Sequence, residues 1–269
     1  MAGSRVRFLP VFVAVIAAST ASAHDLWLIP PEKGEVKKPL AVRAVSGSEF
    51  PKGDHAPDPA KFGKLIHVRP NASEGKLAAA GTDAKDGLLT FTPDEEGVHI
   101  VAVTTVPKLI TLEADKFNEY LVSDGLPHIY RLRFKEGTLN QPGRERYSKT
   151  PTALVRVGNK GLGTAIKPIG LQLEIVPLAD PFAAKVGDTL KVRVLFREKP
   201  LADARLGWAH PGDGEEPAGT VRTDEAGIAR VPVAKTGLMT IRLTHMTRPK
   251  LADYEWESFW TTLTFRIPE

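Results

Sequence analysis

Seven histidines, at positions 24, 55, 67, 99, 128, 210 and 245, are the side chains best placed to do chemistry in this 269-residue chain. There is no cysteine, so thiolate metal sites and disulfides are excluded. A serine-nucleophile elbow, a phosphate-binding loop, a zincin helix and a glycine-rich dinucleotide fingerprint are also absent. The acidic pairs Glu95-Glu96 and Glu215-Glu216 sit in turn-like contexts and read as solvated faces. What remains is imidazole, and imidazole chemistry of this kind is metal binding.

His24 stands apart because of what precedes it. Arg5 and Arg7 form a short basic segment, followed by an apolar run from Phe8 to Ala18 broken only by Pro10. Ala21 and Ala23 then give the small-x-small pattern of a signal-peptidase site. The run is too short for a comfortable bilayer span of about 20 residues. Residues 1–23 are therefore expected to be a removed secretory signal, which places the mature chain in the periplasm. Cleavage after Ala23 leaves His24 at the N-terminus, where its α-amine and Nδ1 can close a chelate ring on one ion. A free α-amine has a pKa near 8 and loses its proton to a metal readily. Cleavage after Ala21 instead leaves Ser22-Ala23-His24, whose amine, two amides and imidazole form a square-planar set. Both outcomes give a nitrogen-rich site of the kind that suits copper or nickel.

The chelate needs a partner. His245, at the end of the alternating run Met239–Leu243, is the first choice. His210, in the loop Ala209–Gly214, is the second, and His55, also on a loop, is comparable to it. Asp25 adds a carboxylate beside His24. Met246 could offer a thioether, but neighbouring side chains on a strand face opposite ways. His67 and His99 lie inside strand-like runs and read as packing residues, and His128 has no special spacing.

The elements that must position these residues are mostly strands. Leu40–Val45, Leu88–Pro93 and Gly97–Val103 read as strands in the first half. Phe117, Tyr120 and Leu121 recur at helical spacing before Gly125, so Leu112–Asp124 is expected to hold one short helix. Gly158–Gly163 reads as a hinge. Beyond it, Leu171–Val176, Leu190–Phe196, Ala204–Trp208, Ile228–Val233, Gly237–Leu243 and Trp260–Phe265 alternate between turns. The fold class is all-β with one short helix: two β-sandwich domains, residues 24–165 and residues 166–269, the second immunoglobulin-like. Hydrophobic residues make up 42% and charged residues 25%, ordinary for a folded globular chain. The net charge of +4 includes two charges in the signal, and Lys and Arg are not interleaved with aromatics. No nucleic-acid partner is expected.

The start Ala23-His24-Asp25-Leu26-Trp27-Leu28 resembles the mature start of DUF4198 proteins. The resemblance continues through Phe117–Leu121 with Asp124-Gly125-Leu126, Arg144–Lys149, Leu173–Pro177, Thr223-Asp224 with Gly227, His245-Met246 and Trp256–Phe265. It implies exported bacterial proteins related to the periplasmic part of nickel/cobalt uptake. The expected role is thus a non-catalytic accessory that binds a divalent transition metal, nickel or cobalt first and copper as rival. It would hand the metal to a membrane or outer-membrane transporter. The metal residues are expected to be His24, His245, His210 and Asp25. Alternatives are a copper carrier, a metal-free β-sandwich interaction module and, furthest off, a copper-dependent polysaccharide-cleaving enzyme. Arg146 is expected to pair with a carboxylate structurally, and Trp256 and Trp260, on one face of an extended stretch, to pack between domains.

Overall fold

The computed structural model describes residues 24–161, 167–250 and 253–269. The expected signal segment lies outside them, as does part of the Gly158–Gly163 hinge. In chain order the elements are β1 (Asp25–Ile29), β2 (Leu40–Gly47), β3 (Phe62–Val68), β4 (Ala78–Asp83), β5 (Asp86–Phe91), β6 (Gly97–Thr105) and β7 (Lys108–Leu112). Two helices follow, α1 (Ala114–Ser123) and α2 (Pro127–Lys135), and then the long strand β8 (Gly143–Val157). The remainder comprises β9 (Leu173–Pro177), β10 (Thr189–Phe196), β11 (Lys199–Pro200), β12 (Arg205–Ala209), β13 (Gly219–Arg222), β14 (Ile228–Pro232), β15 (Gly237–Thr247) and β16 (Trp256–Ile267).

These strands form three sheets. The largest runs β13-β12-β15-β16-β8-β6-β3, with β7 added beside the start of β8. A second runs β1-β2-β5-β4, and a third joins β9, β11 and β14 around β10. Alternation in the sequence decides how they stack, because successive side chains on a strand leave by opposite faces. Val98 and Ile100 of β6, Leu154 of β8, and Phe259, Leu263 and Phe265 of β16 meet Leu173, Val192, Val194 and Val231 of the third sheet. On the other face, Val101, Val103, Ala153 and Val155 meet Leu28, Val42, Ala44 and Leu89 of the second sheet. The all-β sandwich architecture expected from the sequence is therefore present, with the large sheet serving as a wall of both sandwiches. β8 and β16 come from either side of residue 165 and pair in parallel, from Glu145–Trp256 to Ala153–Thr264.

The helices cover the end of the large sheet that the second sheet leaves open. Phe117, Tyr120 and Leu121 of α1, with Leu126 and Ile129, pack on Met246, Trp256 and Trp260. Each such fully buried side chain contributes about 1.5–3 kcal/mol relative to exposure. Gly125, at φ +76°, ends α1 in the left-handed conformation that suits glycine. One helix was expected here and two are found. α2 opens on Pro127 at its first turn, which is favourable there, but its apolar pattern is weak and Phe134 is exposed. What holds α2 is Arg133, buried, whose guanidinium donates to the carbonyls of Thr138 and Gln141 and lies 4.8 Å over the Phe117 ring. That tertiary anchor leaves no periodic signal.

Candidate functional site

Where α1, the end of β2 and the large sheet meet, they border a cavity of about 250 Å³. Its floor follows from period-two spacing on adjacent strands. Lys108, Ile110 and Leu112 of β7 lie opposite Tyr147, Glu145 and Gly143 of β8. Glu145, Tyr147 and Lys149 in turn lie beside Trp256, Ser258 and Trp260 of β16. Tyr120 of α1 forms one wall, and its ring stacks on Trp260 with centroids 5.7 Å apart. His24, Ser46 and His55 form the rim.

The rim is built by a loop folded back on the end of β2. The amide of Asp54 donates to the Ser46 carbonyl at 2.9 Å, and His55 bridges to Ser46. This return is tight: a Cβ on Gly47 would stand 2.2 Å from the Lys52 carbonyl oxygen. The loop brings His55 to His24, with ring centroids 5.6 Å apart and planes at 84°. Nε2 of His24 lies 3.0 Å from Oδ2 of Asp54, which also accepts from the Ser48 amide at 3.2 Å. A carboxylate on Nε2 fixes the imidazole tautomer and leaves Nδ1 bare for a ligand. Metal–nitrogen bonds of about 2.0–2.1 Å allow two imidazoles with centroids this close to reach one ion. Among the described residues no group of three or more His, Asp or Glu side chains is arranged to hold a metal. The side chains gathered here are thus two imidazoles and the Asp54 carboxylate.

Beneath the rim the polar groups are unusually enclosed. Lys149 donates from Nζ to the His24 carbonyl and lies over the rings of Trp260 and Tyr147 at 5.1 and 5.7 Å. Burial lowers its pKa, while Asp25, Asp124 and Glu145 oppose that from a distance. Glu145 is 2% exposed; its Oε1 accepts from Ser258 and from Tyr120, and Trp260 Nε1 donates to Ser258 Oγ at 3.0 Å. Burial outweighs those donors and pushes Glu145 up to about 7. Asp124 behaves likewise, raised to about 7 by burial although Arg242 pulls it down.

The other residues singled out in the sequence lie elsewhere. Asp25 neighbours His24 in sequence, but its carboxylate, 5% exposed, pairs with Arg242 at 2.5 Å. His245 pairs with Phe259 and packs on Phe196 at 4.5 Å, on the face of the large sheet turned to the third sheet. Burial drives its pKa to about 4. Met246 faces the helices instead, as alternation requires. His210 is 1% exposed, with Nδ1 3.2 Å from the Leu238 carbonyl. The structure thus brings His24 together with His55 and Asp54, and brings neither His245 nor His210 to them. His67 and His99 form a buried pair at 2.9 Å. Arg146 binds Glu257 at 2.6 Å, and Trp256 and Trp260 pack under α1. Lys149, Glu145 and Tyr147 carry a signal in the sequence, their alternation, yet only the strand register puts them on a cavity.

A β-sandwich protein with a histidine-rimmed, lysine-floored pocket is the class that fold and site define. The chain matches the family described as "Domain of unknown function (DUF4198)" over residues 21–247 and belongs to it. No curated protein matches. Among solved structures, a match to the D00-D0 domain of intimin has 10% identity, covers 89% of this chain and 98% of that one, and has a TM-score of 0.20. At that score it carries no argument.

Proposed function

We propose that this protein, exported and cleaved before His24, binds one divalent transition metal and serves metal uptake as a non-catalytic periplasmic accessory. The ion is held by the α-amine and Nδ1 of His24 together with His55. The observation that carries this reading is the 5.6 Å pairing of the two imidazoles with Asp54 on the far nitrogen of His24. The links to nickel or cobalt and to a membrane or outer-membrane transporter come from the resemblance to exported proteins of nickel/cobalt uptake. Copper remains the chemical rival, because three nitrogens suit it and it binds such sites most tightly.

Native mass spectrometry of protein purified from the periplasm, with nickel, cobalt or copper added, tests this. A mature mass beginning at His24 with one metal is expected. Binding should vanish in His24→Ala, weaken about tenfold or more in His55→Ala, and persist in His245→Ala. Equal binding by His24→Ala, or by a chain that retains its leader, overturns the proposal.

A further inference from the structure

We propose that the cavity beneath the two rim histidines is a binding site for a small organic carboxylate, whose charged end meets Lys149 and whose apolar body lies between Trp260, Tyr147 and Ile110. The argument starts from size. At about 250 Å³ the cavity holds several water-sized volumes of about 30 Å³ each. It is much larger than a single ion requires, and it is just below the roughly 300 Å³ at which drug-sized pockets begin.

Charge comes next. Lys108 and Lys149 line the cavity with Glu145 as the one acid in its lining, while Asp25 and Asp124 act on Lys149 from outside it. That acid already accepts from Ser258 and Tyr120, and burial pushes its pKa up, which weakens its hold as a counter-charge. No carboxylate among the described residues reaches Lys149 within ion-pair distance, and its Nζ donates instead to the main-chain carbonyl of His24. An ammonium partly withdrawn from water in this way carries a desolvation cost that an incoming anion offsets. Lys149 is only half-buried and lines the pocket, so it can be approached.

The walls decide which anion. Trp260, Tyr147, Ile110 and Leu112 give the pocket an apolar side that an inorganic oxyanion leaves unused. A ligand with a carboxylate at one end and roughly ten non-hydrogen atoms in all satisfies both halves. This inference uses the floor of the pocket and does not rest on the metal reading, which uses the rim.

The test is calorimetry on the full exported chain, freed of metal by chelator, with benzoate, hexanoate and inorganic sulfate as probes. Benzoate or hexanoate should bind at one site per chain, at least tenfold tighter than sulfate. Lys149→Met should lower that affinity about tenfold or more. Lys108→Met, at an exposed position where folding is not at issue, should lower it less. Binding should survive in His24→Ala, which separates this site from the proposed metal site. Sulfate binding as tightly as benzoate, no carboxylate binding at all, or full affinity in a folded Lys149→Met or Lys108→Met protein would each overturn the proposal.

Discussion

The residues around the pocket are governed by burial more than by formal charge. Asp25 and Arg242 form an ion pair at 2.5 Å in which Asp25 is 5% exposed. Removing one member leaves the other charge enclosed, which costs about 3–5 kcal/mol. Asp124 stands near Arg242, so Asp25→Asn is expected at the lower end, about 3 kcal/mol, measured by urea denaturation. Asp124 itself makes a pH prediction. Its folded pKa is raised to about 7 from an ordinary 3.8, so between those values the folded chain holds a proton that the unfolded chain has lost. Stability from this group is present below the unfolded pKa and is lost as pH rises toward 7. Relative to wild type, Asp124→Asn should therefore gain stability with rising pH across that window, by up to about 1.4 kcal/mol per pH unit. His67 and His245, both lowered to about 4 by burial, have the opposite slope in wild type. The difference between the two proteins cancels those histidines and reports Asp124 together with the part of the Glu145 shift that Asp124 causes. A flat difference from pH 4 to 7 would remove the enclosed-acid account.

At the scale of elements, the loop after β2 and the helix α1 shape the site from opposite sides. The loop depends on Gly47, where any Cβ meets the Lys52 carbonyl. Gly47→Ala is expected to cost about 1–3 kcal/mol and to swing Asp54 and His55 away from His24. Metal affinity should then fall while the far-ultraviolet circular dichroism of the sheets is kept. α1 depends on Gly143, since a Cβ there would stand 2.3 Å from the Phe117 ring. Gly143→Ala should likewise cost about 1–3 kcal/mol, read by thermal melting, because the ring is held by Trp256 and Arg133 and cannot step aside.

The molecule as a whole is tied together by β8 and β16. Their parallel pairing continues the large sheet through both halves of the chain, and cross-links reinforce it. Thr262 Oγ1 donates to the Leu26 carbonyl at 2.9 Å, and Ser258 donates to Glu145. Parallel neighbours this far apart in sequence cannot separate without exposing both faces of the sheet. Thermal unfolding followed by circular dichroism and by tryptophan fluorescence should therefore give one coincident transition. Two resolved transitions would mean that the halves are energetically separate.

Composition, turns and alternation carry the secondary structure of this protein, because a strand announces which face is buried through every second residue. The same alternation separated His245 from Met246 and placed Trp256 and Trp260 on one face as packing residues, while the helical spacing of Phe117, Tyr120 and Leu121 located α1. Period and propensity are local, and the sequence shows them directly. Which strands become neighbours is not local. The parallel register of β8 with β16 puts Lys149 beside Trp260, and the face of β15 on which His245 lies turns it away from His24. His55 reaches His24 because a loop closes tightly on Gly47. None of these leaves a periodic trace. The ingredients of the site were therefore legible one by one, and their meeting was decided by long-range pairing, whose energy appears only when distant segments are brought together.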